Sequence, residues 1–310
     1  MENWKELYNE RLCTAEEAVN LIKSGDHVVF SHCAAEPTVL IDAMIANAAA
    51  YRDVTVHHMQ TLGPGKYAQP EYKDHFHFDG WFLSPSTRKC VADGYGDVTV
   101  NHYYQATEFF EDGTYRDDVM LVMVSPPNEK GYVSIGVSVD YTRPAADNAK
   151  LLIAQVNRRM PFTYGNTLIH VSEIDRFVEA DQELYELQPP RIGDAEIAIG
   201  EYCASLIPDG ATISLGIGSI PDAVCRFLGS KKDLGVFSDM FSDGLIDLYE
   251  NGVINNKYCT TDPGVMTVSF VMGTRRLYDF VDRNPAVNFQ TAEYVNHPYM
   301  ISRQSQMCIV

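Results

Sequence analysis

Positive charge is scarce in this chain. Twenty-four lysines and arginines face 42 aspartates and glutamates, a formal charge of −18 over 310 residues. Such a balance argues against nucleic acid and against an anionic membrane surface as partners. It also disfavours polyanionic ligands unless cations gather locally, for which Arg158-Arg159, Lys231-Lys232 and Arg275-Arg276 are the candidates. The seven cysteines form no CxxC pair and no disulfide-framework spacing, which excludes a disulfide scaffold and fits reduced thiols in a cytoplasmic protein. No run reaches the ~18 apolar residues of a membrane span, and the start, Met1 to Lys5, lacks a signal pattern. His57, His58, His75 and His77 share no helical face and no carboxylate pattern, so no metal site is expected.

What the chain has is a sizeable apolar fraction, 45%, laid out as short β-prone runs alternating with helix-like ones. That alternation predicts an α/β protein with mainly parallel sheets, as two tandem open α/β domains. Thr14 to Glu17 spells a capping box, His27–Phe30 a short strand, and Pro37 opens a helix through Ile45. Asp118–Val124 is continuous and apolar, as in a central strand buried on both faces. Residues 60–80 read as a long irregular loop, and Tyr132–Ser138 as a strand paired hairpin-fashion with the preceding one. Gln188-Pro189-Pro190-Arg191 marks the boundary, giving domains 1–188 and 191–310. Ile192–Ile207 follows as a helix whose apolar face carries Ala195, Ile199 and Cys203, extended by Ala198 and Tyr202. Near the end, Tyr294–Pro298 reads as a turn, and Gln306–Val310 as a strand with nothing to pair it.

The chain is organised around Ala211 to Gly252. A β-prone run ends in Gly216-Ile217-Gly218, and a second, Leu234–Phe237, delivers Asp239 and Asp243 to a turn. Sites in open α/β sheets form at the carboxyl ends of strands, which makes Asp239 the first candidate for chemistry. Asp243, followed by Gly244, suits a helix cap. A dinucleotide-binding reading is weaker, because the third glycine is missing where it is expected.

These residues carry a resemblance. Leu215-Gly216-Ile217-Gly218 with Ile220-Pro221-Asp222-Ala223-Val224, Met240 with Ser242-Asp243-Gly244, and Gly252-Val253-Ile254 resemble the acetyl-CoA hydrolase/transferase family. Its 4-hydroxybutyrate CoA-transferase branch is the nearest. Ser31-His32-Cys33 with Glu36-Pro37, Ser84–Arg88, His170–Asp175 and Val295-Asn296-His297-Pro298 extend the likeness over nearly the whole chain. The resemblance implies an acyl-CoA and a small carboxylate such as acetate as substrates, coenzyme A being a substrate and not a cofactor. It implies a homodimer, or a partner chain completing a second domain that stops short of the family's length. In the family a glutamate precedes the Met-x-Ser-Asp-Gly turn and carries CoA as a thioester. The matching position here is Asp239, and the family's nearby histidine position holds Phe237. His32, Glu36, Ser214 and Met240 would line the pocket, with Cys33 given no covalent part.

CoA transfer needs a carboxylate nucleophile and donors for an oxyanion. Asp239 supplies the first, and the amides of Gly216, Ile217 and Gly218 are candidates for the second. Aspartate is one bond, ~1.5 Å, shorter than glutamate, and a misplacement of ~1 Å can cost ~10²-fold in rate. Two other readings stay open: an acyl-CoA hydrolase with Asp239 as general base, and a non-catalytic or fragment relative that keeps fold and pocket. The adjacent His32 and Cys33, if extended, would point apart and form no thiol–imidazole pair.

Overall fold

The computed structural model describes residues 4–310. The chain forms two compact units: residues up to Phe162 with Leu168–Tyr185, and Thr163–Thr167 with Glu186–Val310.

In the first unit seven strands make one parallel sheet. They are β1 (His27–Phe30), β2 (Val54–His58), β3 (Phe76–Gly80), β4 (Gly96–Val98), β5 (Val119–Val124), β7 (Leu152–Val156) and β10 (Arg176–Glu179), in the order β10-β7-β5-β1-β2-β3-β4. Between them β6 (Tyr132–Ser134) and β9 (Leu168–His170) form a separate antiparallel pair, and β8 (Tyr164–Gly165) leaves for the other unit. All six residues of β5 are buried, so helices and loops cover both its faces. The helices are α1 (Trp4–Glu10), α2 (Ala15–Val19), α3 (Thr38–Ala46), α4 (Arg88–Ala92), α5 (Gln105–Glu111) and α6 (Thr142–Asn148). Both halves of the Thr14–Glu17 capping box are made. The chain runs outward from β1 to β4, then returns to place β5 on the other side of β1. The switch point between β1 and β5 is where such sheets open a crevice, and His32 follows β1 there.

The second unit repeats the plan with β11 (Thr212–Ser214), β12 (Gly235–Phe241), β13 (Met266–Val271), β14 (Val287–Phe289) and β15 (Met307–Ile309), in the parallel order β15-β11-β12-β13-β14-β8. Its helices are α7 (Asp194–Leu206), α8 (Ser219–Phe227), α9 (Asp243–Glu250), α10 (Arg275–Val281), α11 (Ala292–Asn296) and α12 (Pro298–Ser302). The switch point lies between β11 and β15, and Gly216-Ile217-Gly218 leaves β11 at that place. The return from β14 to β15 carries α11 across β12 and β13.

Several local expectations are corrected. Residues 76–80 are strand β3: Phe76 and Phe78 face inward and alternate with His77 and Asp79, a strand pattern masked by the Gly, Pro, Tyr and His content of the stretch before it. β6 is shorter than expected and pairs with β9 instead of the main sheet. The apolar side chains of α7 stay outside: Ile199 is 41% and Tyr202 74% exposed. The helix packs instead on its smallest residues, Gly200 and Ala204, because a Cβ at Gly200 would lie 2.8 Å from the carbonyl carbon of Ala223 in α8. Tyr294–Pro298 belongs to two short helices, with His297 capping α12 through its ring. The final strand is paired, with Cys308 beside Ile213.

Candidate active site

In the first unit the chain turns sharply after β1. Cys33 takes φ +54°, a left-handed conformation, so His32 and Cys33 do not alternate as in a strand. This overturns the expectation that the pair points apart: the Cys33 Sγ lies 3.1 Å from His32 Nδ1. The other ring nitrogen, Nε2, is 2.5 Å from Asp140 Oδ2, and both side chains are buried. Burial opposes a charge on His32. The Asp140 carboxylate and the Cys33 thiol outweigh it and hold the imidazole well above its ordinary range. Asp140 is itself fixed by Ser138 Oγ at 2.8 Å and the Tyr141 amide at 2.6 Å. Burial raises the Cys33 thiol, and the His32 interaction pulls against it.

Glu36 is also buried, three residues on. Its carboxylate accepts from Thr61 Oγ1 (2.5 Å) and from the amides of Leu62 (2.9 Å) and Gly63 (3.1 Å), tying down the loop after β2. Burial nevertheless pushes it up to about 7, against those bonds and His32.

In the second unit Asp239 lies within β12, two residues before its end, and not in a turn. Its Oδ1 accepts from the Met240 amide at 2.8 Å and has Ser238 Oγ at 3.5 Å; its Oδ2 has Asn296 Nδ2 at 3.5 Å. Burial pushes the carboxyl up from the ordinary aspartate range, and the Met240 amide, then Asn296 and Ser238, pull it back. Ser214 Oγ sits 3.2 Å from Ser238 Oγ, which also accepts from the Leu215 amide. Asp243 does not cap the next helix: Ser242 stands at the cap position, and Asp243 accepts from the Thr274 amide (2.8 Å) and hydroxyl (2.5 Å).

The glycine turn is only partly available. The Gly216 amide donates to Val310 O at 3.0 Å, as part of the β11–β15 ladder, and so cannot face an oxyanion. Among the described residues the amides of Ile217 and Gly218 have no acceptor, and Gly218, at φ +134°, leads directly into α8. A cavity of about 660 Å³ opens beside this turn, lined by Ile217, Gly218, Met240, Ser242, Asp243 and Met272 among others. Asp239 is not in its wall. Met240, from the expected pocket set, is.

Comparison with known sequences gives matches in both units. Residues 1–186 match the acetyl-CoA hydrolase/transferase N-terminal domain, and residues 273–310 match the C-terminal domain of the same family. The chain belongs to the acetyl-CoA hydrolase/transferase family. It is 48% identical over 304 residues to the 4-hydroxybutyrate coenzyme A transferase of Clostridium kluyveri, covering 98% of this chain and 71% of that protein. It is 34% identical to the succinyl-CoA:cyclohexane-1-carboxylate CoA transferase of Geobacter metallireducens, over 98% of this chain and 69% of that one. A solved 4-hydroxybutyrate CoA-transferase from Porphyromonas gingivalis superposes with a TM-score of 0.89 at 39% identity, covering 99% of this chain and 74% of that one.

Two side chains, one in each unit, had no clear signal in sequence. Asn296 was visible only as part of a motif, 57 positions from Asp239. Asp140, which sets the charge of His32, had no signal at all. Phe237, at the family's histidine position, is fully buried, its ring 6.1 Å from that of Tyr294.

Proposed function

We propose that this chain moves CoA between a short-chain acyl-CoA, of the 4-hydroxybutyryl, butyryl or acetyl type, and a small carboxylate such as acetate. The observation that carries the reading is the position of Asp239: a largely buried carboxylate on β12, the strand next to β11, whose closing turn leaves the Ile217 and Gly218 amides without an acceptor among the described residues. The 48% identity to a 4-hydroxybutyrate CoA-transferase supports the acyl class.

The Asp239 carboxylate attacks the thioester carbonyl, and the tetrahedral intermediate expels CoA thiolate, leaving a mixed anhydride. The thiolate then attacks the Asp239 carbonyl and releases the free acid, so that CoA rests on the enzyme as a thioester. An acceptor carboxylate reverses both steps. The amides of Ile217 and Gly218, at the N-terminus of α8, are the donors for the oxyanion. Partial burial keeps the carboxylate poorly solvated and therefore reactive, while the Met240 amide holds its orientation. Seven free cysteines fit a cytoplasmic setting, and no described helix is long and apolar enough to cross a membrane.

Intact-protein mass spectrometry after incubation with butyryl-CoA tests the assignment. A CoA adduct that maps to Asp239, converted to an alcohol by borohydride and absent in Asp239→Asn, is expected. No adduct on the unsubstituted chain, or one that survives Asp239→Asn, refutes it.

A further inference from the structure

Ser269 lies directly across from Asp239. The β12–β13 register pairs Ser238 with Val268 and Met240 with Phe270, which sets residues 239 and 269 side by side. Side chains alternate along a strand, so the two project from the same face of the sheet. Ser269 is fully buried, and its hydroxyl has no hydrogen-bond partner among the described residues. Nearby, the amide oxygen of Asn296 is also buried without a partner, although its Nδ2 is 3.5 Å from Asp239 Oδ2. Buried polar groups are nearly always paired, and each exception asks for a ligand or a water.

Here two such exceptions flank one carboxylate whose Oδ2 has only a long contact. Together the three groups offer the two to four partners that a buried water requires. Their polarity also matches a water. Asp239 Oδ2 and Asn296 Oδ1 are acceptors for its two hydrogens, the Ser269 hydroxyl is a donor to one lone pair, and the second lone pair remains free. Aspartate, ~1.5 Å shorter than glutamate, leaves room on the same line.

We propose that Ser269 is a positioning residue that, with Asn296 and Asp239, holds one water against the acyl carbonyl, so that this site hydrolyses CoA esters alongside transfer. The inference rests on Asp239 being the reactive carboxylate. The free lone pair of the water attacks the thioester carbonyl while Asp239 takes one of its protons. The tetrahedral intermediate expels CoA thiolate, which recovers that proton from Asp239. The products are the free acid and CoA-SH. Ser269 fixes where the water stands and so sets the competition between water and an acceptor carboxylate.

The test uses the full chain with butyryl-CoA in ¹⁸O-water, with and without acetate. Transfer is read as acetyl-CoA and hydrolysis as label in butyrate. Ser269→Ala should lower the hydrolysis-to-transfer ratio by about tenfold or more. Ser269→Cys, which keeps a weak donor, should lower it less. Loss of an unpartnered hydroxyl should not lower the unfolding midpoint, so the ratio is read on folded protein. A purely structural role would lower both activities together. An unchanged ratio in both variants, or parallel loss, overturns the inference while leaving the transferase reading intact. Ser269-dependent hydrolysis without transfer overturns the transferase reading and the competition with it, while upholding the placement of the water by Ser269. Neither activity in the unsubstituted chain overturns both.

Discussion

Replacing Glu36 by glutamine should change how stability depends on pH. The native carboxyl is 3% exposed and raised from 4.5 to about 7, with burial as the leading cause. Between those two values the folded chain holds a proton that the unfolded chain has already released. Stability from this group is therefore fully present below pH 4.5 and is lost as pH rises through about 7. At 1.36 kcal/mol per unit, the shift amounts to about 3 kcal/mol. Glutamine keeps one oxygen for the Leu62 and Gly63 amides, which both bond Oε2, and can turn its NH₂ toward Thr61. It does not titrate. Urea unfolding at half-unit steps from pH 5 to 8 would read the difference between the two proteins. Relative to the native chain, Glu36→Gln should gain about 3 kcal/mol across that range, ~1–3 M in midpoint for a typical urea slope. Parallel profiles, with a constant gap at all pH values, would show that the Glu36 proton is not linked to folding and would refute the argument.

Two further perturbations test the packing around the candidate site. Asp140→Asn leaves the buried His32 imidazolium without its counter-charge, a loss of ~3–5 kcal/mol when one partner of such a pair is removed; thermal melts at pH 6 and 8 should show the larger deficit at pH 6, where the ring must carry the charge. Gly200→Ala places a methyl 2.8 Å from the Ala223 backbone and should cost ~1–3 kcal/mol by pushing α7 off α8, read as a lowered denaturation midpoint; an unchanged midpoint would mean that the helix pair is not close-packed there.

The parallel sheets were legible because their strands are short apolar runs with helix starts between them. Val119–Val124 needs no neighbours to be recognised as a buried strand. The site was legible only in part. Asp239 declared itself by following an apolar run, but its partners come from elsewhere: Asn296 from α11 and Ser269 from β13. Nothing in local spacing announces which distant strand will lie alongside. The Gly216 turn was visible, yet the partner of its amide is the terminal strand, which sequence left without a mate. At His32 the miss had a backbone cause. A positive φ at a non-glycine residue such as Cys33 cannot be foreseen from alternation, and it folds two adjacent side chains onto one another. On α7 the pattern was seen correctly as helical and assigned to the wrong side, because the close approach to Ala223 selects glycine and alanine over larger apolar residues.

The small segment Thr163–Thr167 has a consequence for how the protein can be made. It lies between β7 and β9 of the first unit, yet its strand pairs with β14, Tyr164 beside Asn288. A ribosome therefore delivers this strand long before its mate, and it cannot join the second sheet until residue 289 has emerged. Until then residues 163–167 stand out from an otherwise finished first unit, waiting for the last third of the chain. A polypeptide begun at residue 191 would never receive them. It would expose the outer edge of β14 to any passing strand and should precipitate more readily than the whole chain.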